Sequence, residues 1–203
     1  MLQYIRIVTS LRERKRARTR QALVAAAAEL FERRGYDKTT VADIAAAAEI
    51  STRTFFSYFA SKEEVLFADG DARVGAALRA IENREPDDRP TDILLRALRE
   101  VAATDDDLVG LTAALRLRLI RTVPAVRGRA LQVQQDGQLQ VARRLHAAFP
   151  DDLDEVEAAA LVGAFVGAIS CALQILLADG IANPDVVRER LNRATSIALR
   201  PWT

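Results

Sequence analysis

Apolar residues recur at intervals of three and four along most of this 203-residue chain, the spacing that places them on one face of an α-helix. The first stripe lies within residues 16–34 and consists of Leu23, Ala26, Ala27, Leu30 and Phe31. Gly35 follows the stripe and predicts the end of this helix, because glycine adopts a positive φ without strain. Alanine-rich stretches and the scarcity of alternating apolar and polar positions predict an all-α protein.

Caps and breaks in the remaining sequence predict eight further helices. Thr40 and Asp43 have the spacing of a capping box, and Ser51 and Ser61 stand where the next two helices begin. The prolines of EPDDRP, residues 85–90, separate the fourth helix from the fifth. The predicted ranges are about 40–48, 52–59, 62–84, 91–103, 108–121, 124–148, 154–178 and 184–199.

The segment TTVADIAAAAEISTRTFFSYFASKEE, residues 39–64, has the form of a helix-turn-helix unit. Two helices are joined by three or four residues, and the second helix is short and polar. Val41, Ile44, Ala45 and Ala48 form the inward stripe of the first helix, and Phe55 and Phe59 form that of the second. The side chains left outside are of the types that bind phosphates and base edges. They are Thr52, Arg53, Thr54, Ser57 and Tyr58.

Residues 20–64, with LFERRGYDKTTVADIAA followed by ISTRTFFSYFASKEE, resemble the N-terminal DNA-binding domain of TetR-family transcriptional regulators. This likeness fixes many positions at once, so it is more specific than a bare helix-turn-helix pattern. The remaining helices resemble the family only in number and length. The resemblance implies a three-helix DNA-binding domain and a helical C-terminal domain that binds an effector and dimerises.

The resemblance also implies particular contacts with DNA. Thr40, at the start of the second helix, is expected to bind a phosphate through its hydroxyl and amide groups. Thr52 and Arg53 lie at the leading edge of the recognition helix, where Arg53 could pair with guanine O6 and N7. Tyr58 and Lys62 match positions that clamp the DNA backbone. The full predicted set is Thr40, Thr52, Arg53, Thr54, Ser57, Tyr58 and Lys62.

Two positions depart from the family pattern. Glu49 stands in the turn where the family usually has glycine, and a non-glycine residue at positive φ there costs about 1 kcal/mol. Its carboxylate does not favour DNA binding either. Phe56 replaces a frequent tyrosine and lacks a hydroxyl for a phosphate, so it is expected to pack on a sugar or to complete the core.

Charge is distributed unevenly, although the formal net charge is only +1. Residues 1–65 contain 12 Lys and Arg against 8 Asp and Glu, whereas the remainder contains 17 against 20. A basic N-terminal third joined to an acidic remainder suits a protein that meets a polyanion at one end. A solvated basic arm has the same composition, so charge alone leaves both interpretations open.

Composition gives little support to metal, redox or catalytic chemistry. The single cysteine, Cys171, excludes an internal disulfide, and the single histidine, His146, leaves no cluster for zinc. TDDD at 104–107 is interpreted as a helix stop and cap, because no other ligand type lies near it. No paired carboxylates, activated nucleophile or glycine-rich phosphate loop stands out. We predict no enzyme, no cofactor and no metal.

The larger domain is expected to form a homodimer. One short recognition helix makes too few contacts for specific binding, whereas a dimer places two of them about 34–36 Å apart in successive major grooves. The small residues in AALVGAFVGAISCAL would let a partner helix approach closely. A monomer core is the alternative interpretation of this stretch. The predicted interface residues are Leu161, Ala164, Phe165, Ala168 and Ile169.

The resemblance implies an effector pocket enclosed by helices four to seven. Its predicted lining is Leu98, Leu111, Leu115 and Leu119, with Arg116, Arg118 or Arg121 available for an anionic head group such as that of an acyl-CoA. Leucines at this spacing also fit an ordinary core. A ligand that binds better to a conformation with misplaced recognition helices would lower the affinity for DNA by linkage.

These observations divide the chain into a basic flexible arm at 1–15, a helix-turn-helix domain at 16–61 and an effector-binding and dimerisation domain at 62–203. We expect no membrane-spanning run and no signal peptide, and therefore a cytoplasmic protein. The predicted function is a ligand-responsive DNA-binding transcriptional regulator, a repressor released from a palindromic operator by a small hydrophobic or acyl-type effector. The alternative is an all-α small-molecule-binding or scaffold protein that no longer reads DNA.

Overall fold

The computed structural model describes residues 2–68, 70–104, 111–181 and 183–200. Within these ranges it contains nine α-helices, one 3-10 helix and no strand, which confirms the predicted all-α class. The α-helices are α1 (Leu2–Arg34), α2 (Val41–Ala47), α3 (Thr52–Phe56), α4 (Gly70–Glu82), α5 (Pro90–Thr104), α6 (Leu111–Thr122), α7 (Pro124–Ala148), α8 (Glu155–Ala178) and α9 (Pro184–Leu199). The 3-10 helix, Glu63–Phe67, follows α3. The predicted acidic cap at 105–107 lies outside the described residues.

The chain divides into two compact units, residues 1–68 and residues 69–203. The boundary lies seven residues later than the predicted division between 61 and 62. The 3-10 helix accounts for this difference, because it packs against α1 in the first unit. Its Val65 and Leu66 are only 1% and 2% exposed, so they complete the apolar core of that unit.

The first helix is longer than the sequence pattern predicts. It begins at Leu2 rather than near residue 16 and contains 33 residues, so the predicted flexible arm is helical here. No glycine or proline interrupts the sequence before Gly35, and the helix therefore continues upstream of its apolar stripe. Side chains 11–18 are exposed, so this part of the helix depends on local propensity more than on packing.

The two elements that follow the turn are shorter than predicted. Helix α3 ends at Phe56 rather than near residue 59, because the next two amides bond to carbonyls three residues back. The Ser57 amide donates to the Thr54 carbonyl at 3.1 Å, and the Tyr58 amide donates to the Phe55 carbonyl at 2.9 Å. These are the tight turns of 3-10 geometry. The predicted fourth helix is divided into the 3-10 helix and α4, which begins at Gly70.

The second unit has its own apolar core, to which α4, α5, α7, α8 and α9 contribute. Its most deeply buried members include Ile93, Leu94, Leu145, Leu161 and Leu191. Polar caps begin two helices of this unit. Asp154 and Glu157 form a capping box at the start of α8, and the Asn183 side chain accepts amide hydrogen bonds at the start of α9.

Helix α8 is strongly apolar and only partly covered. An 18-residue window has a mean hydropathy of 2.2, and 22% of that window is buried. By length and composition alone this helix could cross a membrane, so the expectation that no apolar run reaches that length is wrong for α8. Val156 and Ile175 are 76% and 63% exposed. A substantial apolar surface of α8 is therefore left uncovered within one chain.

Candidate nucleic-acid interface

The core of the first unit fixes the positions of α2 and α3. Phe31 of α1, Ile44 of α2, and Phe55 and Phe59 beside them are at most 2% exposed. The Phe55 and Phe59 ring centroids lie 5.8 Å apart. Both predicted inward residues of the recognition helix are thus in the core. Their burial leaves the opposite side of α3 exposed to solvent.

Thr40 begins α2 with the predicted capping box. Its amide and hydroxyl donate to Oδ2 of Asp43 at 2.9 and 2.6 Å, and the Asp43 amide donates to Thr40 Oγ1 at 3.1 Å. The hydrogen bonds from the Thr40 side chain and backbone hold the pKa of Asp43 below its ordinary value. Two groups of Thr40 that were predicted to bind phosphate are therefore bound to a carboxylate oxygen. A DNA phosphate at this position would replace one anionic acceptor by another.

The turn between α2 and α3 contains a residue with a positive φ, a conformation that glycine adopts without strain. Glu49 has a φ of 56°, so an ordinary L-residue occupies the left-handed region. Its amide donates to the Ala46 carbonyl at 3.1 Å, and the Ile50 amide donates to the Ala45 carbonyl at 2.9 Å. These two bonds form a Schellman motif, which ends a helix with its last carbonyls satisfied. Glu49 therefore adopts a positive φ in a turn whose backbone hydrogen bonds are formed.

The side chains predicted to face DNA differ in whether they form hydrogen bonds within the chain. Thr54 Oγ1 lies 2.8 Å from the hydroxyl of Ser51, and the Ser57 hydroxyl donates to the Thr54 carbonyl at 2.6 Å. Thr52 and Arg53 are exposed and form no side-chain hydrogen bond with any residue that the structure describes. These two side chains are therefore presented to a partner without a competing internal contact.

Lys62 is held within the first unit. Its ammonium group donates to the carbonyl oxygens of Tyr36 and Thr39, each at 2.9 Å, and lies 3.9 Å from the Tyr36 ring centroid. An ammonium has three N–H donors, so one remains beyond these two bonds. The predicted backbone clamp thus also connects the start of the 3-10 helix to the loop between α1 and α2.

Tyr36 and Glu63 form a neighbouring pair in which the phenol donates to Oε1 of Glu63. Burial and this hydrogen bond raise the pKa of Tyr36 far above its ordinary value. Burial also acts to raise the pKa of Glu63, but hydrogen bonds from Tyr36 and Ser61 outweigh it and lower that pKa overall. Glu63 is therefore ionised and Tyr36 protonated near neutral pH.

Two arginines of α1 contact aromatic residues beside the recognition helix. The Arg16 guanidinium lies 5.4 Å from the Tyr58 ring centroid, and that of Arg20 lies 4.8 Å from the Phe59 centroid. Arg20 also donates to the Ala68 carbonyl at 2.9 Å. These contacts were not predicted from the sequence, although Arg16 and Arg20 are spaced one helical turn apart. Tyr58, the predicted DNA contact, is therefore positioned beside the basic part of α1.

The predicted effector residues do not form one group. Leu98 is 6% exposed and belongs to the main apolar cluster of the second unit. Leu115 and Leu119 are 1% and 6% exposed but lie outside that cluster, and the Leu111 side chain lies outside the described part of the chain. Arg118 is exposed, whereas Arg116 on the same helix is only 7% exposed.

A surface cleft of about 400 Å³ lies along α7. It is lined by Asp136, Leu139, Gln140, Arg143 and Arg144, and no predicted effector residue contributes to it. Among the described residues, no three or more His, Cys, Asp or Glu side chains come together in a way that could hold a metal ion.

The predicted interface residues of α8 differ in their exposure. Leu161 and Phe165 are 0% and 7% exposed and belong to the core of a single chain, so they offer almost no surface to a partner. Ala164, Ala168 and Ile169 are partly exposed. The interface prediction therefore needs correction at Leu161 and Phe165, because their large side chains fill the space under α8.

A helix-turn-helix with an unengaged Thr–Arg pair at the start of its second helix, beside a basic helix, is characteristic of DNA-binding proteins. Residues 23–68 match the family described as bacterial regulatory proteins, tetR family. The chain is 38% identical to the HTH-type transcriptional regulator TcmR of Streptomyces glaucescens over 150 residues, which are 71% of this chain. The match spans 66% of TcmR, just under two thirds of its length. Residues 23–68 therefore belong to the tetR family.

Solved structures with the same fold cover nearly the whole chain. A TetR-family transcriptional regulator from Syntrophomonas wolfei str. Goettingen has a TM-score of 0.65 and 18% identity, covering 91% of this chain and 96% of that one. Thermus thermophilus FadR, a TetR-family transcriptional repressor in complex with lauroyl-CoA, has a TM-score of 0.57 and 22% identity. That match covers 89% of this chain and 93% of FadR. At these identities the likeness shows a shared fold.

Proposed function

We propose that this chain is a cytoplasmic, homodimeric transcriptional repressor that binds a palindromic operator and leaves it when a small effector binds. The observation that carries the DNA-binding step is the exposure of Thr52 and Arg53 at the start of α3 without internal hydrogen bonds. A side chain that reads a base edge must leave solvent for the groove, and a prior internal hydrogen bond would oppose that exchange.

The turn before α3 and the charge of α1 favour a DNA-binding protein over a scaffold that has lost DNA recognition. In the sequence, Glu49 and the short row of polar residues on α3 favour that alternative, since a distorted turn would misplace α3 and a short row makes few contacts. The Schellman hydrogen bonds at Glu49 and Ile50 support a turn that positions α3 in the usual way. Basic side chains on α1 supply the charge that attracts phosphates, and they include the exposed Arg12, Arg14, Lys15, Arg16 and Arg18.

The proposal of a homodimer rests on the exposed face of α8. Gly163 and Gly167 lie on this face, and a Cβ added at either would meet no atom within 4 Å in one chain. Packing within the chain therefore does not require their small size. A partner helix that approaches closely would require it. We accordingly centre the interface on Ala164 and Ala168 with these glycines, and place the exposed Val156 and Ile175 towards its ends.

A dimer is also what operator binding needs. One α3 reads a few base pairs, and two copies related by a two-fold axis read two half-sites in opposite orientation. The operator is therefore a palindrome with half-sites one helical turn apart, about 34–36 Å between centres.

We propose that the effector is a small hydrophobic or acyl-type molecule bound in the second unit. Buried Leu98, Leu115 and Leu119 support an apolar ligand, and FadR, which shares the fold, is bound to lauroyl-CoA in its structure. Of the three arginines predicted for the anionic group, we favour Arg116, because a buried guanidinium interacts with an anion more strongly than a solvated one. A ligand that stabilises a conformation with misplaced α3 helices lowers DNA affinity by linkage.

DNase footprinting of the purified full chain on the region upstream of its own gene tests this proposal. We expect a protected palindrome whose protection weakens as salt rises, because basic residues displace counterions from DNA. Protection should also weaken when a saturated acyl-CoA is added. Selection of bound duplexes from a pool of random sequence covers operators elsewhere in the genome. Failure to select any sequence from that pool would overturn the DNA-binding proposal.

A further inference from the structure

Phe56 is an exposed aromatic residue on the side of α3 that presents Thr52 and Arg53. Its side chain is 57% exposed, whereas the adjacent Phe55 is fully buried. Phe56 follows Thr52 by four positions and Arg53 by three, which places all three on one side of a helix. The sequence left open whether this residue completes the core, and its exposure excludes that role.

The Phe56 ring is held in a defined orientation. It meets the Phe55 ring edge to face, with the centroids 5.5 Å apart and an angle of 85° between the planes. Because Phe55 is itself fixed in the core, it supports Phe56 from below and leaves much of the ring accessible. A supported apolar ring of this kind loses little conformational freedom when it meets another surface.

The chemistry of the ring restricts what it can recognise on DNA. Phenylalanine has no hydrogen-bonding group, so it cannot read the donors and acceptors of base edges or bind a phosphate as tyrosine does. The apolar group that a base pair presents in the major groove is the C5-methyl of thymine. Contact with that methyl group removes apolar surface of both partners from water.

We propose that Phe56 reads the C5-methyl group of a thymine in each half-site and is a specificity-determining residue of the DNA interface. This inference rests on the proposed function, and it adds an aromatic contact with a base to the hydrogen bonds of the polar side chains. Arg53 and Phe56 together would read neighbouring base pairs, the first through hydrogen bonds and the second through apolar contact.

A cycle that combines protein and DNA substitutions tests the contact. A bound duplex is first selected with the full chain from a random pool, and each thymine of one half-site is then replaced by deoxyuridine. This change removes the methyl group and keeps base pairing. For at least one thymine we expect the parent protein to lose about fourfold in affinity, the effect of withdrawing one buried methyl group.

The same replacement should have no effect on binding by Phe56→Ser, whereas Phe56→Leu, which keeps an apolar contact, should retain part of the discrimination. A parent protein insensitive to every replacement would overturn the inference without any use of a variant. Equal sensitivity of the parent and Phe56→Ser would overturn it as well, since the methyl group would then contact another residue. In both of those cases the duplex is still bound, so the proposed function survives. Failure to select any duplex would instead overturn the proposed function together with this inference.

Discussion

Lys62 contacts Tyr36 in two ways, because its ammonium lies 3.9 Å from the ring centroid and donates a hydrogen bond to the Tyr36 carbonyl oxygen at 2.9 Å. A second bond of the same length goes to the Thr39 carbonyl. Both acceptors belong to buried residues of the loop before α2. Lys62 therefore stabilises the loop that leads into the helix-turn-helix, in addition to any contact with DNA.

Replacing Lys62 by methionine should lower the free energy of unfolding by about 2 kcal/mol, because two carbonyl groups lose a charged donor. Urea unfolding of the full chain followed by circular dichroism measures the change. Lys38→Met is the matched control. Lys38 is an exposed lysine in the loop that contains Tyr36 and Thr39, so its replacement should change stability little. Equal stability of both variants and the parent would show that Lys62 does not support the loop.

Tyr36 should remain protonated at a pH where an ordinary tyrosine ionises. Burial, the hydrogen bond to Glu63 and the charge of that carboxylate all favour the neutral phenol in the folded state. The stabilisation is complete below the ordinary tyrosine pKa of about 10 and is lost as pH rises beyond it. Absorbance of tyrosinate during an alkaline titration measures this. Tyr36→Phe should remove a late step from this titration, because it removes the phenol whose pKa is raised.

Substitutions at Glu49 should separate backbone strain from side-chain effects. Glu49→Gly removes the strain of an L-residue at positive φ. Glu49→Ala keeps that strain, and both variants remove the carboxylate. The glycine variant should therefore be more stable than the alanine variant by about 1 kcal/mol. Thermal or urea unfolding of the two variants provides the comparison. An alanine variant at least as stable as the glycine variant would mean that the turn does not strain an L-residue.

Arg53→Ala should weaken binding to the selected operator by about 1–3 kcal/mol and relax the preference at one base pair of each half-site. The residue is exposed, so the unfolding curve should match that of the parent. Arg99→Ala, which removes an exposed arginine of α5, controls for the loss of one positive charge. Fluorescence anisotropy with labelled duplexes measures the affinities. An Arg53→Ala protein that binds as tightly as Arg99→Ala would exclude Arg53 from base recognition.

Gly167→Leu should dissociate the proposed dimer without unfolding the chain. Space for a side chain exists at Gly167 within one chain, but a leucine there would hold a partner helix away. Gly128→Leu is a matched control, because Gly128 also lies in a helix with no atom within 4 Å of an added Cβ. Sedimentation velocity should give a dimer for the control and a monomer for Gly167→Leu. A stable dimer of Gly167→Leu would show that the interface does not lie on this face of α8.

Elements specified by local chemistry were predictable from the sequence. Proline at the first turn and a polar cap begin α9, and the Thr40–Asp43 pair begins α2, as the spacing of those residues predicted. The bounds of α7 also agree, because Pro124 fixes its start. The inward Phe55 and Phe59 were identified from their separation of four positions.

Features that depend on tertiary packing were not predictable in the same way. Leu161 and Ala164 lie on one apolar stretch, and periodicity alone could not tell that the first is buried within the chain and the second only partly. The internal bonds of Lys62 depend on a loop more than twenty positions away in sequence. The break before α4 likewise depends on how residues 63–67 pack against α1.

The uncovered face of α8 has a consequence for gene control. If two chains must meet before either can occupy an operator, the population competent for DNA grows with the square of chain concentration while chains are scarce. Occupancy of the operator would then rise more steeply than the concentration of the protein. When cell growth dilutes the protein, occupancy of the operator would thus fall faster than the concentration of the protein, even when no effector is present.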